Sequence, residues 1–277
     1  MTKPSKKPQG PRAGAAPDQI LGELWPGQSV PLLKALHILT RDGALNADSR
    51  RKLKQVLHLT SLLRPALETL FAEKEAPVLA DLGAGKSYLG FILYDLFFRE
   101  RGRVWGVEAR AELIAKSRAL ADESGFTRMD FVEGAISSAR LPDGKADIVT
   151  ALHACDTATD EAILFALAHD AKFVALVPCC QAEIARALED SKKPERQLWR
   201  HPIQRREFGA HLTNVMRGLF LESHGYKVRV TELTGLEHSL KNEFILAERH
   251  QRSNAAAKAE FTRLAEQFGV VPKLLAA

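Results

Sequence analysis

The stretch 77–90, PVLADLGAGKSYLG, constrains this chain more than any other. A short apolar run, Val78, Leu79 and Ala80, ends in Asp81. A glycine turn follows at Gly83 and Gly85, and an apolar helix then runs to about residue 100. A strand that hands a glycine turn to a helix N-terminus leaves backbone N–H groups bare where a nucleotide-like ligand can approach. The chain must therefore build a sheet with this strand inside it.

Three ligands compete for such a turn. A phosphate-binding loop needs Gly-x-x-x-x-Gly-Lys-Ser, and its first glycine falls on Ala80. A dinucleotide fingerprint needs a third glycine, and Tyr88 follows the turn instead. Asp81 favours a cationic ligand without pyrophosphate. S-adenosylmethionine, with a sulfonium and an α-ammonium, meets that description. Glu108 supports it, since it ends the second strand, 27 residues beyond Asp81, where a carboxylate can accept both ribose hydroxyls. Tyr88 adjoins the same turn. At the third strand end the sequence reads Glu133-Gly134-Ala135, so the adenine is expected against backbone groups or Glu133.

From Pro77 onward strand and helix patterns alternate, which predicts an α/β fold with a mostly parallel sheet and crossover helices. Strands are expected at 78–82, 103–107, 129–132, 147–152 and 172–177, with a final hairpin at 226–233 and 242–249. Helices are expected at 87–99, 110–123, 158–169, 207–224 and 254–267, joined across 181–206 by a polar, basic stretch. Upstream, residues 30–40 and 47–74 carry helical apolar spacing, the second with a kink or break near Pro65. The domain plan is a disordered basic tail at 1–17, a helical extension at 18–75, the catalytic domain at 76–250 and a C-terminal helix at 251–277.

All three cysteines fall at the ends of the fourth and fifth strands: Cys155, Cys179 and Cys180, with His153 and Asp156 beside the first. Ligands in open α/β sheets bind outside the strands' carboxyl ends, so these groups converge near the methyl donor. His153 or Asp156 suits a general base. A cysteine suits attack on a pyrimidine ring. A zinc site would need ligands from two short clusters without the usual spacing, and buried cysteine often serves only as a small hydrophobe. No metal is expected.

The segments DLGAGKSYLGFILY, VEAR, ALHACDTATDEAI, VPCCQ and EHSLKN together resemble a group of class I S-adenosylmethionine-dependent methyltransferases. That group includes the catalytic domain of the eukaryotic tRNA 2′-O-methylase that carries a CHHC zinc finger. The resemblance covers about residues 50–250, and no separate zinc-finger module accompanies it. It implies a Rossmann-like seven-stranded sheet with a helical N-terminal extension. It carries cofactor roles to Asp81, Gly83, Gly85 and Glu108. Its signature falls on His153, Cys155, Asp156, Pro178, Cys179 and Cys180. Lys54, Gln55 and His58 match its preceding helix, and Glu237, His238, Lys241 and Asn242 its late loop; among them Lys54, His58, His238 and Asn242 are expected to meet substrate.

The chain has a net charge of +5 and a pI of about 9.1, which fits an RNA partner. Methylation of a protein side chain or small molecule is the alternative on the same fold, and a non-catalytic scaffold the alternative outside it. Three cysteines in 277 residues and the lack of an apolar signal core or membrane-length run lead to the expectation of a cytoplasmic protein.

Overall fold

The computed structural model describes residues 24–152, 154–178, 181–233 and 243–275. The chain divides into two compact units, one through Leu57 and one from His58 onward. In the first, helix α1 (Val30–Ala35) starts at Ser29, whose hydroxyl accepts from the Leu32 N–H. Helix α2 spans Ala47–Glu73 and runs without interruption through Pro65. Of the kink or break expected there, the break is not found. Proline removes one backbone bond, and the buried stripe Leu59, Leu63, Leu67 and Leu70 around it offsets that loss.

The second unit holds a seven-stranded sheet in the order β3-β2-β1-β4-β5-β7-β6. The strands are β1 (Val78–Leu82), β2 (Arg103–Glu108), β3 (Met129–Glu133), β4 (Ile148–Ala151), β5 (Phe173–Leu176), β6 (Tyr226–Glu232) and β7 (Glu243–Arg249). β1 to β5 are parallel, and β7 inserts antiparallel between β5 and β6. β1, β4 and β5 are buried along their whole length, as strands covered on both faces must be. This is the Rossmann-like methyltransferase sheet expected from the sequence, hairpin edge included.

Helices α3 (Tyr88–Leu93), α4 (Ala111–Glu123) and α5 (Thr157–Ala168) are the crossovers. The expected single helix over 87–99 is α3 followed by a π turn, Tyr94–Phe98. A π turn admits one extra residue, and here Tyr94, Asp95 and Phe98 are all buried. The stretch 181–206 is not a plain connection. It contains α6 (Glu183–Ala187), a 3₁₀ helix (Pro194–Trp199) and the start of α7 (Pro202–Ser223), which begins five residues earlier than expected. Helix α8 (Ala255–Phe268) and a 3₁₀ turn (Lys273–Leu275) follow β7. Among the described residues no helix is long and apolar enough to cross a membrane.

Candidate functional site

The sheet order reverses between β1 and β4, so their carboxyl ends open the crevice where α/β sheets take ligands. The glycine turn lies on one side of it. Gly83 and Gly85 sit at φ +61° and +59°, a conformation that L side chains rarely adopt. A Cβ on Gly83 would stand 4.0 Å from Ala154 at the end of β4, so the two strand ends are close neighbours.

Asp81 lies beneath this turn. It is 2% exposed. One carboxylate oxygen accepts from Thr150 Oγ1 on β4 at 2.8 Å, and the other from Ser87 Oγ at 3.3 Å. The Gly90 N–H adds a third donor. Burial pushes its pKa up to about 6, against the partial relief of those three bonds. Ser87 itself is left-handed at φ 52°, so Asp81 helps hold a strained turn in place.

Glu108 reaches the turn from β2. Its Oε2 accepts from the Gly85 N–H at 2.8 Å, and its Oε1 accepts from the Arg110 N–H at 3.1 Å. The Arg110 guanidinium adds Nε to Oε1 at 2.8 Å and Nη2 to Oε2 at 3.3 Å. Burial works to raise the carboxyl's pKa, but the bonds from Arg110 and the Gly85 backbone outweigh it and hold it below the ordinary carboxylate range. Glu133 pairs with Glu108 across the parallel register and is exposed. Tyr88 is half-buried at the start of α3.

On the β4 side, Cys155 is exposed and in no disulfide. Asp156 follows at φ 52° and ψ −126°, a conformation costly for any residue but glycine. Three donors hold its carboxylate. Ala182 and Glu183 N–H groups reach Oδ1 at 2.9 and 3.0 Å, and Arg186 reaches Oδ2 at 2.7 Å. Burial opposes ionisation, yet these donors together keep its pKa below the usual range. Asp156 thus ties the end of β4 to the start of α6, the helix that follows the β5 cysteines.

Behind that tie lies a buried polar network that the sequence reading passed over. Arg217 on α7 is 1% exposed. It donates from Nε and Nη2 to both oxygens of buried Asp160, at 2.7 and 2.9 Å, and from Nη2 to the Asp156 carbonyl at 2.7 Å. Asn214 Oδ1 accepts from Arg217 Nη1 and from Gln181 Nε2, each at 3.3 Å, while its Nδ2 donates to Glu243 at 2.8 Å. The signal available was an arginine amid Leu212, Met216, Phe220 and Leu221 on one apolar helix.

His153, Cys179, Cys180, His238 and Asn242 lie outside the described residues. Lys54 is exposed on α2 in the first unit. His58 opens the second unit half-buried, with Nε2 buried and unpartnered.

Residues 51–187 match the family model described as a methyltransferase domain. No curated protein matches the chain. Among similar solved structures are an rRNA methylase from Streptococcus thermophilus (11% identity, TM-score 0.45, covering 71% of this chain and 94% of that one) and magnesium protoporphyrin IX methyltransferase from Synechocystis PCC 6803 with bound SAH (14%, 0.45, 80% and 95%). TrmK of M. capricolum, in complex with S-adenosyl-homocysteine, is a third (10%, 0.45, 73% and 73%). The crevice fits S-adenosylmethionine on its own terms. Beside the glycine turn stand one carboxylate that accepts from its backbone, Glu108, and one buried carboxyl, Asp81. The matched stretch runs from α2 to α6 through β1 to β5, and the chain built around this glycine turn is an S-adenosylmethionine-dependent methyltransferase.

Proposed function

We propose that this chain methylates RNA, at a ribose hydroxyl or a base, as a relative of the LHACD and PCC group that contains the tRNA 2′-O-methylase. Bound S-adenosylmethionine supplies an electrophilic methyl group on its sulfonium. Glu108 receives the ribose hydroxyls, Gly83 and Gly85 let the backbone come close, and Asp81 lends negative charge from beneath. Cys155, His153, Cys179 and Cys180 stand as the groups that meet the methyl acceptor. Asp156 acts as a positioning residue for the chain at Cys155, because its own carboxylate is committed to α6 and Arg186.

The observation that supports an RNA acceptor is one short surface segment. Lys192, Arg196 and Arg200 are exposed there with no ion-pair partner among the described residues. Their neighbours Arg205 and Arg206 are paired with Glu189 and Glu207. Trp199, the aromatic in their midst, is buried, stacked on Phe208 at 5.3 Å and edge-on to Phe268 at 5.9 Å. Contact through phosphates rather than base stacking follows from that arrangement.

The test is transfer of labelled methyl to total RNA and to total protein, paired with RNA binding across salt concentrations. Changing Lys192, Arg196 and Arg200 together to Gln is expected to flatten the slope of log K against log salt by about 2 for single-stranded RNA. Binding of S-adenosylhomocysteine should stay as in the parent. Label entering protein alone, or an unchanged salt slope, would overturn the RNA assignment.

A further inference from the structure

We propose that Arg110 competes with the cofactor's ribose for Glu108, so that the nucleoside binds by exchanging its two hydroxyls for a guanidinium. This rests on the assignment of the crevice to S-adenosylmethionine.

A carboxylate has about four acceptor positions. Glu108 has all four filled: two by the backbone N–H groups of Gly85 and Arg110, and two by Nε and Nη2 of the Arg110 side chain. The two kinds of donor differ in what it takes to remove them. The backbone donors belong to the turns that build the site, and they aim the carboxylate whatever else binds. The guanidinium is carried on a side chain that is 61% exposed and anchored by this ion pair alone among the described ion pairs.

A ribose brings two adjacent hydroxyl donors. That is the number the guanidinium supplies, and a planar fork and a cis-diol both address a carboxylate in bidentate fashion. Location agrees with the count. A Cβ built on Gly85 would have Arg110 Nη2 as its nearest atom, at 3.9 Å, so the guanidinium lies against the open side of the glycine turn. The nucleoside must approach across that side. Arg110 and the ribose cannot both hold Glu108. After the exchange Glu108 keeps its two backbone donors and gains two hydroxyls, so no acceptor is left bare.

The competition is mild, because an exposed ion pair contributes little. Its loss should alter nucleoside affinity by about two- to fivefold. It is also open to screening, since salt weakens a pair at the surface and leaves neutral hydroxyl donors largely untouched. Arg110 therefore makes cofactor affinity depend on ionic strength in a direction opposite to ordinary charge attraction.

The test is calorimetric titration with S-adenosylhomocysteine, which lacks the sulfonium charge, so that general repulsion between cations does not imitate the exchange. Arg110→Met, Arg110→Lys and Glu108→Ala are compared with the parent at 50 mM and at 300 mM salt, with melting curves to verify folding. Arg110→Met should bind about two- to fivefold more tightly at low salt, with the gain shrinking at high salt. Arg110→Lys, which keeps the charge but not the fork, should shift the same way. Glu108→Ala should weaken binding at both concentrations. Weaker or unchanged binding in Arg110→Met overturns the exchange, as does tightening by Met without Lys. If the parent does not bind the nucleoside, or Glu108→Ala binds as the parent does, the cofactor assignment itself fails.

Discussion

Arg217→Met is expected to lower the free energy of unfolding by about 3–5 kcal/mol, measured by urea denaturation at pH 7.5. The substitution keeps most of the volume and removes the charge. Asp160 is then left as a buried carboxylate without its bidentate partner, and the Asp156 carbonyl loses the Nη2 donor. An uncompensated buried charge is what makes such single removals expensive. The pair as a whole need not stabilise the fold. Replacing both members, with Arg217→Met and Asp160→Leu together, should return much of the loss. The double variant also separates stability from chemistry. It should fold, yet transfer methyl poorly, because nothing then holds the strained Asp156 backbone from α7. A single variant as stable as the parent, or a double variant with full turnover, would sink this account.

That network shows where sequence legibility stops. β1 was readable to its last residue because a fully buried parallel strand has to be a continuous apolar run, and Asp81 punctuates it. The adjacency of β4 and β5 and the β6–β7 hairpin followed from chain order and turn residues. Asp156 was recognisable as a carboxylate at a strand end. Its partners were not recognisable, because two of them are backbone N–H groups 26 and 27 residues later, and backbone donors leave no mark in side-chain pattern. Helix α6 escapes a sequence reading for another reason: it has five residues and buries only Ile184, too little for a helical period to register. Arg217 hid in an apolar helix face as one polar letter. Arg110, in contrast, stands two positions from Glu108, and that pairing was open to a local reading of Glu-Ala-Arg.

Asp81→Asn should make the cofactor-free protein more stable at pH 8 and bind S-adenosylmethionine less well. The folded protein holds this carboxyl at a pKa of about 6, above its unfolded value of 3.8, because it is buried. A group raised in this way favours the folded state fully below the unfolded value, and loses that contribution as pH rises through 6. The whole loss amounts to about 3 kcal/mol, of which about half returns on lowering the pH from 8 to 5. Asparagine does not titrate, and the hydroxyls of Thr150 and Ser87 can turn to accept from its amide. The stability difference between variant and parent should therefore shrink as pH falls, read from urea curves on both proteins at each pH. Cofactor affinity should run the other way. A cation above Asp81 favours the ionised form, so parent affinity for S-adenosylmethionine should fall by up to about tenfold per pH unit below 6, while the variant's stays flat and about tenfold or more weaker at pH 8. Equal pH profiles in the two proteins would mean that Asp81 only props the turn. Divergent profiles would mean that the fold tolerates a destabilising carboxylate because the cofactor's charge needs it.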